Sequence, residues 1–222
     1  MKIEYLTFNF IILLSPLLSY LFFPKIIYPL DNISLISILI AAFIFILHDI
    51  FANNNWWRFN NKFILGVRIL NLPIEEIMFF FTVGFACLTI WLNLKTVNLK
   101  IEFNLFPLFL LIGLYYLFLA IKSKKAYAQS MTIFYIVLII TDISSKINLA
   151  LDNFFILYLG IILFLTLIFN YYLTKRPVVL YNKEFLSGKK ILTIPVEDFL
   201  YGINFIYLTT IIYEFFSNSA IF

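Results

Sequence analysis

Charge is scarce in this chain. Only 13% of its 222 residues are Asp, Glu, Lys or Arg, whereas a soluble domain carries about a quarter. With 63% hydrophobic residues and a mean hydropathy of +0.99, lipid rather than water must solvate most of the surface. Cys87 is the only cysteine and His48 the only histidine. That excludes an internal disulfide and leaves nothing to build a Cys/His metal site from. Neither GxGxxG after a strand nor GxxxxGK occurs, so dinucleotide and nucleoside triphosphate binding lack support. Aspartate-rich motifs that hold magnesium-diphosphate are missing too, which argues against a membrane prenyltransferase. The last apolar stretch has no lysine for a retinal Schiff base, and no basic run is interleaved with aromatics as nucleic-acid binding requires.

Long apolar runs fill the rest. They predict spans at 5–23, 33–51, 73–92, 105–121, 127–143, 154–173 and 194–215. No small-x-small cleavage pattern follows the first run, where Tyr20 to Pro24 stand, so it is expected to remain as a helix. The expected fold is an all-α polytopic membrane protein of about seven transmembrane helices, a single membrane domain over 1–222. Alternating the spans puts 12 of the 16 basic residues on one face: Lys2, Arg58, Lys62, Arg68, Lys122, Lys124, Lys125, Lys175, Arg176, Lys183, Lys189 and Lys190. Lys25, Lys95, Lys100 and Lys146 fall on the other. The positive-inside rule then sets the N-terminus inside and the C-terminus outside, in what is expected to be a cytoplasmic membrane.

A shift of 122 residues lays Gly66, Arg68, Pro73, Glu75, Glu76 and Phe79 on Gly188, Lys190, Pro195, Glu197, Asp198 and Tyr201. The same shift lays spans one to three on spans five to seven. The expected plan is 3+1+3: repeat one over about 1–100, a connecting helix over about 104–121 and repeat two over about 123–222. Four crossings separate equivalent helices, so the repeats run the same way through the bilayer, related by an axis along its normal.

Each repeated unit reads as a helix start, with proline in the first turn and two carboxylates at the positive end of the helix dipole. Good capping alone explains such a pattern. Duplication at a fixed offset ahead of apolar runs points further, to carboxyl groups shielded from water, where one acid of each pair keeps its proton and can donate it. Successive helix positions point about 100° apart, so both acids of a pair cannot face one cavity squarely. Glu75 and Glu197 are the preferred donors, because Glu76 is replaced by Asp198 at the second position, which therefore demands less reach. Asp49 and His48, at the end of the second span on the same side, are further catalytic candidates. Their bland reading is interfacial, with Asp49 pairing Arg58, and the repeat partner of His48 is Asn170. Asp142 reads as a solvated helix end. Phe79, Phe80 and Tyr201, one turn from the acids, suit the flat apolar body of a polyene and ease a carbocation with their ring faces.

The doubled Pro-x-Glu-Glu/Asp helix start, the Gly66-Val67-Arg68 and Gly188-Lys189-Lys190 lead-ins and the stretch from Arg176 to Tyr181 resemble the membrane-integral lycopene cyclase domain family, in its fused form. The resemblance implies a redox-neutral cyclase without cofactor or metal. A carboxyl of Glu75, Glu76, Glu197 or Asp198 would protonate the terminal double bond of a linear carotenoid such as lycopene. Ring closure would follow, and then proton loss to a carboxylate, giving γ-carotene and then β-carotene. Membrane lipids and other carotenoid-synthesis enzymes are the partners it implies, with no nucleic acid. Lys190 for arginine, and Gly202 where the first half has Phe80, depart from strict duplication. Two other readings share the architecture: a small-solute transporter, although Pro73 and Pro195 begin their spans rather than interrupt them, and a non-catalytic subunit of a carotenoid-synthesis complex.

Overall fold

The computed structural model describes residues 3–97, 101 and 104–219. Lys2 and Lys100, counted above in the charge bias, lie outside the described residues. Helices dominate: α1 (Glu4–Ser19), α2 (Asn32–Ala52), α3 (Ile74–Leu94), α4 (Phe106–Ser123), α5 (Ala126–Ser144), α6 (Asn153–Lys175) and α7 (Val196–Ser219). Helices α2 to α7 are each long and apolar enough to cross a bilayer, the mark of an integral membrane protein. At 18 residues or more, each rises about 27 Å or more.

The first helix is shorter than the run that predicts it. It has 16 residues, and Tyr20 to Phe23 continue only as turns whose amides bond Leu17, Leu18 and Ser19 carbonyls. Pro24 follows, and the residue before a proline is disfavoured in helical geometry, which stops the coil. Elsewhere the ends follow from local chemistry. Asp31 accepts the Ser34 amide at 2.9 Å to start α2, and Asp152 accepts the Phe154 amide at 2.8 Å to start α6, each satisfying a donor the helix leaves orphaned. Lys124 takes φ 54° and separates α4 from α5.

Six short strands qualify the all-α expectation: β1 (Trp57–Phe59), β2 (Arg68–Ile69), β3 (Leu72–Pro73), β4 (Val179–Tyr181), β5 (Lys190–Ile191) and β6 (Ile194–Pro195). The Gly-x-Arg/Lys lead-ins and the prolines form two tight hairpins, β2 with β3 and β5 with β6, each feeding directly into α3 or α7. Gly66 and Gly188 turn the chain into them at φ 95° and 83°, a region open to glycine without steric cost. Pro73 and Pro195 are thus the last strand residues, one position before their helices. Strands β1 and β4 pair antiparallel across the molecule: Trp57 with Tyr181, Arg58 with Leu180, Phe59 with Val179.

Helix α3 packs on α1, α2, α6 and α7, while α7 packs on α2, α5 and α6 as well. These two helices therefore form the centre, and α4 lies outside against α5. At the end where α1, α3, α5 and α7 begin, Glu4 accepts from Arg176 at 2.7 and 3.0 Å and from Tyr172 at 2.8 Å, tying α1 to α6. At the opposite end Glu214 accepts from Trp91 at 2.8 Å and Lys95 at 2.7 Å.

Asp142 corrects the expectation of a solvated helix end. It is buried and accepts from the Leu149 and Ala150 amides and the Tyr207 hydroxyl at 2.9, 2.8 and 2.7 Å. Its carboxylate replaces water for the 3-10 turn Leu149–Leu151 that leads into α6. Asp142→Ala strands three buried donors and is expected to cost about 3 kcal/mol of stability. A thermal unfolding midpoint in detergent unchanged from the parent would contradict that.

Candidate functional site

Between the two halves lies a partly open cavity of about 150 Å³. Its walls come from α1, α2, α3, α5, α6 and α7 together with β1 and β4. Among the described residues three carboxyl groups reach it: Asp49 from the end of α2, Glu76 from the first turn of α3 and Asp198 from the first turn of α7. All three are buried.

Each carboxyl is held by phenols. Tyr5 donates to Glu76. Tyr127 donates to Asp198 at 3.0 Å, and Tyr181 donates to its other oxygen. Tyr201 donates to Asp49 at 2.7 Å. Burial pushes the Tyr181 phenol well above its usual value and the neighbouring Asp198 carboxylate pushes it further, so Tyr181 stays a donor throughout the neutral range. Around the acids the rings of Trp57, Phe59, Phe79 and Phe80 complete an aromatic wall. Trp57 and Tyr127 sit 5.1 Å apart between centroids, and Tyr201 stands edge-on to Trp57 at 6.2 Å.

Of each acidic pair the second member lines the cavity and the first does not. Glu75 and Glu197 are buried but do not line it. Each turns back to the loop before its hairpin: Glu75 accepts the Leu65 amide at 2.5 Å and Glu197 the Ser187 amide at 2.6 Å. Their neighbours one position on, about 100° around the helix, face the cavity instead. The hairpins set this phase, because β3 and β6 fix the angle at which α3 and α7 begin.

The remaining candidates divide. Asp49 bonds Tyr201 and, at 3.1 Å, Nδ1 of His48, in place of the expected Arg58. His48 does not line the cavity; its ring packs on Trp56 and on the cavity-lining Trp57 and Tyr201, and lines a separate groove between α2 and α5. Its repeat partner Asn170 does line the cavity, as do Phe79, Phe80 and Tyr201. Tyr5 and Tyr127 are not among the expected residues. They are also 122 positions apart, so the repeat that marks Glu76 and Asp198 marks their phenolic partners too. Among the described residues no cluster of three His, Cys, Asp or Glu side chains is placed to hold a metal ion.

If Glu75 and Glu197 brace the loops, Glu75→Ala and Glu197→Ala should loosen residues 60–67 and 182–189, each losing a part-buried hydrogen bond worth about 1 kcal/mol. Limited proteolysis is expected to cut those loops faster in the variants. Equal cutting rates would remove the bracing role.

Neither the curated proteins nor the solved structures give a match. A family model described as Lycopene cyclase, however, matches two stretches, 3–93 and 124–216, so that each half carries its own copy. Each copy spans a Tyr–carboxyl pair, Tyr5 with Glu76 in one and Tyr127 with Asp198 in the other. With both halves matched and most of the chain covered, this protein belongs to the lycopene cyclase family and is a carotenoid cyclase that takes a linear carotenoid as substrate.

Proposed function

We propose that the chain is a lycopene β-cyclase that closes end rings by proton transfer alone. The observation that carries this reading is the convergence of Asp49, Glu76 and Asp198 on one aromatic-walled cavity. Three carboxyl groups sharing an apolar site cannot all be charged, since their mutual repulsion is little screened there, so the site holds a proton to give.

In this reading Glu76, held by one phenol, donates its proton to the terminal carbon–carbon double bond of lycopene and becomes a carboxylate. The tertiary cation that forms is attacked by the π electrons of the next double bond in reach, closing the six-membered ring and moving the charge onto a ring carbon. Asp198, which accepts from two phenols and so suits the anion, removes the neighbouring ring proton to leave the ring double bond. The proton account balances, and the product is an isomer of the substrate. Rings of Trp57, Phe79, Phe80 and Tyr201 stabilise the cation through their faces, about 0.5–2 kcal/mol each, and keep out water that would trap it. Tyr201 and His48 hold Asp49, which returns the proton from Asp198 to Glu76 after each turn. Glu75 and Glu197 position the loops.

The fold reading extends similarly. Strand and helix bounds that differ by 122 positions, as β1 and β4, β2 and β5, and β3 and β6 do, support a 3+1+3 parallel repeat with α4 as connector. The basic bias supports an N-terminus inside, with the acids near the cytoplasmic edge of the cell membrane.

Expression in lycopene-accumulating cells is expected to shift pigment from red to orange-yellow. Glu76→Gln and Asp198→Asn should each lower ring formation by about 100-fold or more, the usual worth of a general acid or base, whereas Glu75→Gln should retain most turnover. Parent-like pigment ratios in the Glu76 and Asp198 variants would defeat the assignment. Turnover in heavy water should place no more than one deuterium in each ring formed, since each ring takes up one proton and the proton lost to Asp198 returns to Glu76; two deuteriums in one ring would contradict a single protonation.

A further inference from the structure

The cavity differs on its two sides, and the difference rests on a few residues. From the acids it extends along α3 from Glu76 as far as Ile90, a rise of about 21 Å, as an arm between α1, α3 and α6. Three residues of its wall, Ile12, Val83 and Gly202, have Phe134, Phe205 and Phe80 as their counterparts under the 122-residue shift. Those three rings gather around Phe45, at 5.4, 5.2 and 6.1 Å between centroids. The counterpart of Phe45 is Leu167. The matching arm toward α2 and α5 is therefore cut off from the acids by four phenyl rings. It remains as a groove lined by Phe45, His48 and Phe134 among others, which shares no wall residue with the cavity.

Gly202 keeps the α6 arm clear. A Cβ built there would meet Thr166 Oγ1 at 3.6 Å, an ordinary contact, so alanine fits and any longer side chain projects against the arm's α6 wall. At the acid end the arm is strapped shut: Phe8 of α1 meets Phe169 and Tyr172 of α6 at 5.7 and 5.8 Å, beside the Glu4–Arg176 pair. Farther along, α1 and α6 make little direct contact. Val83, Ala86 and Ile90 of α3 are only half-buried there, which leaves the arm open sideways to lipid.

Resting on the cyclase reading, we infer that this arm seats the polyene chain, with Gly202 making its room and Phe80 closing its twin. We further infer that the centre accepts one tip of the carotenoid per binding event and releases the singly cyclised product to the bilayer before the second ring is made. A linear carotenoid is a stiff rod about as long as the hydrocarbon core is thick, about 30 Å, with a reactive end group at each tip. All three carboxyls stand at one end of a single, shorter arm. The far tip stays in the lipid and reaches the acids only after the rod has left and reversed.

The test uses the full chain in vesicles loaded with lycopene, with an excess of deuterated singly cyclised carotenoid added during turnover. Doubly cyclised product should carry the label in proportion to the pool from the first time point. Doubly cyclised product free of label overturns release between rings, while singly cyclised product alone, accumulating beyond the amount of enzyme, supports it. For the arm, Gly202→Phe is expected to lower ring formation about 10-fold or more, as overpacking that displaces a substrate does. Full turnover by folded Gly202→Phe overturns the assignment of the arm. If that variant fails to fold, Val83→Phe fills the same arm from α3 and is read the same way. A parent chain that forms no ring from lycopene at all refutes the cyclase reading itself, a result distinct from either of these.

Discussion

A carboxyl group removed from water is destabilising unless hydrogen-bond donors meet it, and the structure is organised around meeting that condition three times in one place. Tyrosine is the donor in each case: Tyr5 for Glu76, Tyr127 and Tyr181 for Asp198, Tyr201 for Asp49. A phenol brings a hydroxyl on a flat apolar ring, so the group that satisfies the acid also forms part of the cavity's apolar wall. Supplying the acids with donors and building the hydrophobic cavity are thus one arrangement. It requires α1 beside α3 and α5 beside α7, which are the pairs that pack together.

The two hairpins control where these acids point. A helix whose first turn carries two adjacent carboxyls can present either one inward, and only its rotation about its own axis decides. Pairing of Arg68 with Pro73 and of Lys190 with Pro195 fixes that rotation on both sides. The outer acid is then spent on the preceding loop, on the Leu65 or Ser187 amide, and the inner one is left for the cavity. Each acid of a pair therefore has one task.

Much of this is legible in the amino-acid sequence itself. Long apolar runs locate the helices, and the paired acids point to the site because charge is conspicuous in an apolar setting. Phe79, Phe80 and Tyr201 follow from their place one turn along the same helix. What periodicity alone does not carry is rotation, so Glu75 and Glu197 read as the better donors although they face away. Tyr5 and Tyr127 do not stand out, because tyrosine is ordinary in a chain of 20% aromatic residues; only their 122-residue separation sets them apart. Asp142 misleads for a related reason. Its position near a helix end suggests water, while its actual partners, the Leu149 and Ala150 amides, belong to a turn that hydropathy does not reveal. The short strands are likewise beyond reach, since two-residue ladders leave no alternation to read.

The strand pair that joins the halves has a property of its own. Arg58 faces Leu180 at its centre, and these two occupy the same place in their respective halves, while Trp57 and Phe59 face the equivalents of each other. Such a ladder is self-complementary: two identical copies of one half can form it with each other, as in an isologous dimer. Main-chain atoms make its bonds, which leaves the side chains on either strand free to diverge. Each half is then at liberty to specialise, one closing its channel off from the acids with phenyl rings and the other keeping its channel open to them.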